Sequence, residues 1–280
     1  MKRRLFVTEW KKATRNKYFY FAMFFALLFC VTGALYMSES EKDRMRYGIG
    51  NNDMRMASSL YNSWIGGEMN SLGSVLFFYL FPMLAVLPYG WSYFQEKGCH
   101  YAEQLQIRCG RKLYYRMKYF VTFLTGGVVI LFPLLINLFL TAMFVPARKP
   151  DVMYDMYFGV FFNDFLSDIF YVHPLLFVGI YLLIDFIYGG LFACMGLWFS
   201  SFVKKKIAVL VFPFLTCLVL HYATALLNYK VYVQISPLCF LHAVCIDNPA
   251  HPVIIWGEAL FLFFLTYVGT MKMGRRHEFL

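Results

Sequence analysis

Long apolar stretches alternate with short charged ones along this 280-residue chain. Six of the apolar stretches, at 18–37, 72–94, 119–145, 174–203, 207–229 and 253–271, are long enough to matter. At about 1.5 Å of rise per helical residue, each can cross roughly 30 Å of hydrocarbon. Four of them hold no Asp, Glu, Lys or Arg. Barrel strands would alternate apolar and polar residues over about ten positions, whereas these runs are continuous, so the pattern predicts helices. The expected fold class is an all-α integral membrane protein, one domain over 1–280 with six transmembrane helices.

The charged intervals orient those helices, because Lys and Arg of short loops are retained on the cytoplasmic side. Of the 26 Lys and Arg residues, seven precede the first run, six lie in 95–119, three in 204–206 and three after Met271. The remaining seven, Lys42, Arg44, Arg46, Arg55, Arg148, Lys149 and Lys230, fall in the alternate intervals. Both termini are therefore predicted to be cytoplasmic. Within 2–17, Leu5, Phe6, Trp10 and Ala13 recur at helical spacing among Lys2, Arg3, Arg4, Lys11, Lys12 and Arg15, predicting an amphipathic helix on the inner membrane surface. The first run follows a basic start, but at twenty residues it exceeds a usual signal-peptide core and reads as an uncleaved anchor.

Composition agrees: 60% hydrophobic, 21% aromatic and 15% charged residues lie outside the soluble range. A net charge of +10 raises the question of nucleic acid, but the cations sit where topology requires them and form no RNA-binding motif. No G-x-x-x-x-G-K-[ST], H-E-x-x-H or G-x-S-x-G is present. No enzymatic centre and no cofactor are expected in this chain.

Three ionisable residues fall within runs: Asp185, His221 and Glu258. Intramembrane charge is costly and faces protein or a wet cavity, so these are candidates for a substrate path or for buried structural bonds. Externally, Cys239, His242, Cys245 and His251 offer soft ligands for zinc or copper, and Cys239 with Cys245 could form a disulfide. On a continuous helix the first three would spread over about 120°, and apolar packing is the expectation. The third external interval carries Pro237, Pro249 and Pro252 among apolar residues and is expected to dip into the outer leaflet. Gly189, Gly190, Ala193 and Gly196 would let helices approach closely, within the subunit or between subunits. Aromatic density in the second, fourth and sixth runs is expected to face lipid and the interface.

Together, the basic start with Glu9 and Lys17, and the stretch 95–119 with Glu96, Glu103, Arg111 and Lys118, resemble the membrane subunit of a type-2 ATP-binding-cassette exporter across nearly the whole chain. The resemblance implies a six-span permease worked by a separate cytosolic ATPase that brings ATP and Mg. It implies a coupling helix at 103–112 with Glu103, Gln104, Arg108, Arg111 and Lys112 at the contact, and a second contact at Lys204 and Lys205. It further implies a homodimer or a second permease, a lipid environment in a bacterial cytoplasmic membrane, and an amphipathic peptide, lipid or drug as cargo. A different class also fits the residues: a non-transporting sensor or scaffold in an antimicrobial-response complex.

Overall fold

The computed structural model describes residues 2–47, 58–161, 164–227, 234–244 and 250–273. Its longer helices are α1 (Lys2–Thr14), α2 (Lys17–Tyr47), α3 (Leu72–Val86), α4 (Tyr101–Cys109), α5 (Arg111–Ala142), α6 (Pro174–Phe199), α7 (Lys206–Leu227) and α8 (Pro252–Met273). No strand is present among the described residues, and five helices, α2, α5, α6, α7 and α8, are long and apolar enough to cross a membrane. The chain is a multi-pass membrane protein of all-α class.

The second expected span is not one helix. At 15 residues, α3 covers about 22 Å, less than a hydrocarbon core. It stops at Val86 because Pro88 has no N–H to continue the ladder. The chain turns through 87–91 and restarts as a short helix, Ser92–Gly98. Beside the other end of α3, the segment 59–71, one helical turn (Leu60–Ser63) followed by irregular chain, folds inward with Trp64 and Ile65 buried. Backbone at that depth needs internal partners. Ile65 N donates to Asn137 Oδ1 (2.8 Å), Ser74 Oγ donates to the carbonyls of Ile65 (2.8 Å) and Glu68 (2.7 Å), and Ala243 N donates to Gly66 O (2.8 Å). The Glu68 carboxylate receives the N–H groups of Asn70 and Ser71 and the Ser71 hydroxyl.

Asn137 is the central clasp here, since its Nδ2 also donates to Cys30 O of α2 (2.7 Å). Asn137→Leu is expected to orphan the Ile65 N–H and cost about 2 kcal/mol, read as a lowered unfolding temperature in detergent.

The interval between α7 and α8 also folds inward at its described residues 234–244. Phe240 is fully buried against Tyr188 (5.3 Å between ring centroids), and His242 lies on Phe78 (3.9 Å). Other boundaries moved for local reasons. The first span extends to Tyr47 because Glu, Lys, Met and Arg beyond Met37 are good helix formers. The third begins at Arg111, so 111–118 are its first two turns rather than loop.

The core is aromatic. Phe77, Phe78 and Phe81 of α3 and Phe177, Tyr181, Tyr188 and Phe192 of α6 are buried, which corrects the expectation that the aromatics of the second and fourth runs face lipid. Those of α8, including Phe261 and Phe264, are exposed as expected. The small residues of α6 pack within the subunit. Gly189 and Ala193 meet Gly126, Gly190 lies against Phe123, and Gly196 faces Val86. This seam makes α5 and α6 the tightest pair in the bundle.

Candidate functional site

The elements on the cation-rich side converge on one buried cluster. α1 presents Leu5, Glu9 and Ala13 inward at four-residue spacing, and Glu9 is fully buried. Opposite it lies Lys118 of α5, also with no exposure. Lys118 Nζ stands 3.1 Å from Glu9 Oε2 and 2.7 Å from Glu96 Oε1, and it donates to Tyr89 Oη (3.1 Å). All three ammonium protons thus have acceptors. Tyr89 Oη donates in turn to Glu9 Oε2 (2.6 Å) and Tyr114 Oη to Glu96 Oε2 (2.5 Å). Half-buried Lys12 completes the set at 3.1 Å from Glu9 and 3.4 Å from Glu96, with its ammonium 3.9 Å from the Tyr101 ring centroid.

Two carboxylates and two ammoniums make a neutral lattice, the arrangement that lets charge be buried at all. Burial alone would raise the Glu9 carboxyl, but Lys118, the Tyr89 hydroxyl and Lys12 outweigh it and hold the group below its ordinary range. For Lys12, burial is likewise overcome by Glu96 and Glu9, which raise the ammonium above its usual value. The lattice ties α1, the turn 87–91, the Ser92–Gly98 helix, α4 and α5 into one body.

The turn 87–91 also contacts the starts of α2 and α7. Asn16 Nδ2 donates to Pro88 O (3.3 Å), and Trp91 packs edge-on to Tyr18 at the start of α2 (4.7 Å). Lys206, at the start of α7, places its ammonium 3.2 Å from the Trp91 ring centroid and 3.6 Å from that of Tyr18. Both cation-rich loops therefore rest on the same turn. Glu9, Glu96 and Lys118 stand out in the sequence, whereas Tyr89 and Trp91 look like part of an apolar span in which Pro88 predicts only a kink.

The expected coupling helix is shorter than 103–112. α4 ends at Cys109, and Gly110 takes φ 77°, a conformation open to glycine, so that Arg111 and Lys112 belong to the first turn of α5. The inner face of α4 buries Ala102 in a cluster with Tyr93, Tyr114, Tyr115 and Leu197, and Leu105 and Cys109 border a cleft against Arg4, Leu5 and Thr8 of α1. Its outer face presents Glu103, Gln104, Ile107 and Arg108, with Ile107 85% exposed. Lys112, Lys204 and Lys205 are exposed as well.

The membrane candidates do not gather. Asp185 of α6 is fully buried and neither carboxylate oxygen has a hydrogen-bond partner. Tyr188, one turn on, donates to Ile255 O of α8 (2.7 Å), and one turn beyond Ile255 the half-buried Glu258 leaves Oε2 without a partner. His221 Nδ1 lies 3.4 Å from Cys239 Sγ.

Among the described residues no group of three or more His, Cys, Asp or Glu could hold a metal. The proposed ligands separate because the dip is not a continuous helix: His242 is buried on Phe78, and exposed His251 accepts from Val253 N (3.3 Å). Cys245 lies outside the described residues. Comparison of the chain with protein-family models, with curated proteins and with solved structures returned no match in any of the three.

Proposed function

We propose that this chain is the permease of an exporter whose ATPase is a separate cytosolic polypeptide, with six crossings, both termini cytosolic and an amphipathic cargo. The observation that carries the reading is α4: a short helix with an exposed apolar residue, Ile107, flanked by Glu103, Gln104 and Arg108, standing on a base locked to α1 and α5. Solvent-facing isoleucine on a charged helix supports a protein partner. The rigid base lets a push on α4 reach α1, α5 and, through Trp91 and Lys206, α7 together. In this reading α3 and the segment 59–71 jointly make the sixth crossing, and the permease acts as a homodimer or beside a second permease. ATP and Mg belong to the partner.

A photo-crosslinking side chain at Ile107 is expected to trap a Walker-motif ATPase in native membranes, while one at Met143, exposed at the other end of α5, does not. Ile107→Asp is expected to reduce ATPase recovery about tenfold. Absence of any ATPase adduct at Ile107 would contradict the assignment.

A further inference from the structure

Among the described residues, two carboxyl groups of the bundle have oxygens without a hydrogen-bond partner: both oxygens of Asp185 and one of Glu258. At about 100° per residue along α6, Asp185 lies between the direction of Phe192, which packs on Phe81 of α3 (6.1 Å), and that of Gly189, which faces Gly126 and Ile130 of α5. Asp185 is thus turned toward the centre of the bundle, between α3 and α5. Since α6 packs antiparallel to α5, one turn outward from Gly189 brings Asp185 about level with 129–133. There Pro133, buried inside α5, has no N–H, and the Val129 carbonyl lacks its helical donor. A fully buried carboxyl group with two unpartnered oxygens, at about the level of a carbonyl freed by proline, suits a cation and disfavours an anion.

We infer that Asp185 is the charge-recognition residue of the transport path and that the cargo carries a cationic group, an ammonium or phosphonium within an apolar body. The buried aromatic side chains of Phe81, Tyr188 and Phe192, on the helices that flank Asp185, suit the apolar part of such a molecule. Glu258, on the α8 side of Tyr188, provides a second acidic group on the same helix seam. The inference rests on the permease reading only for passage of the cargo; the binding step is measured on this chain alone, so its failure leaves the ATPase crosslink standing as a separate result.

The probe is tetraphenylphosphonium, added to the purified full-length chain in detergent and followed by equilibrium dialysis. Wild type is expected to bind it in preference to neutral triphenylphosphine oxide. Asp185→Asn, which keeps shape and removes charge, is expected to weaken binding at least about tenfold, and Asp185→Glu to retain it within a few-fold. A measurement on wild type guards against misfolding: a hydrophobic carbodiimide should label Asp185, and tetraphenylphosphonium should block that labelling in mass spectra. Equal binding by Asp185→Asn, equal preference for the neutral analogue, or labelling of Asp185 unaffected by the probe would overturn the inference.

Discussion

A Lys118→Met variant is expected to lose about 3–5 kcal/mol of stability, the largest single-residue effect in the molecule. The substitution removes the ammonium that contacts Glu9, Glu96 and Tyr89 and leaves the fully buried Glu9 carboxylate facing Lys12 alone. α1 should then detach, so limited proteolysis within 1–16 should accelerate and the unfolding temperature in detergent should drop. Removing the charges together, with Lys12→Met, Glu9→Gln and Glu96→Gln added to Lys118→Met, should restore most of the loss, because no uncompensated charge stays buried. If the single variant is as stable as wild type, the lattice does not hold the cation-rich side together.

The same lattice has a definite pH behaviour. Glu9 is depressed in the folded protein, so its contribution is present above its unfolded value of about 4.3 and disappears as pH falls through the lower folded value. Lys12 is raised, so its contribution is present below about 10.4 and is lost as pH rises through the higher folded value. Through the neutral range the lock stays closed, and any motion transmitted across it must come from mechanical load rather than titration.

Gly126→Leu is the second large effect. A Cβ at 126 would stand 2.7 Å from the Gly189 carbonyl and collide with Ala193 Cβ, and these are backbone and short side-chain atoms that cannot swing away. Separation of α5 from α6 should cost about 3 kcal/mol and appear as aggregation on size exclusion. Gly179→Leu, on α6 where nothing lies within 4 Å, is the matched control and should be neutral.

How much of this was legible in the sequence depended on which force set each feature. Spans and side bias follow from hydrophobic length and Lys/Arg placement, which are local and additive, and four of the expected spans return nearly intact as α5, α6, α7 and α8. In the second run apolar composition continues from Leu72 to Phe94, and the sequence predicts kinks at Pro82 and Pro88, whereas the helix runs through Pro82 and ends before Pro88. The inward fold of 59–71 could not be foreseen either: its polar groups become tolerable only through Asn137 and Ala243, residues 72 or more positions away. Glu9, Glu96 and Lys118 were visible as charges near a membrane surface, yet their burial arises from α1 docking on α5, a long-range event that helical spacing alone does not report. Asp185 was visible as an intramembrane carboxylate, and its lack of partners emerged only once the bundle was assembled.

The proposed engagement of a separate ATPase through α4 makes copurification of the two chains the decisive observation. It is tested most directly by purifying the tagged full-length chain from its own membrane in mild detergent, identifying what accompanies it by mass spectrometry and assaying ATP hydrolysis. A Walker-motif protein and vanadate-sensitive hydrolysis are expected in the eluate, both reduced about tenfold with Ile107→Asp. Recovery of the chain without any ATPase, even after gentle crosslinking, would contradict it.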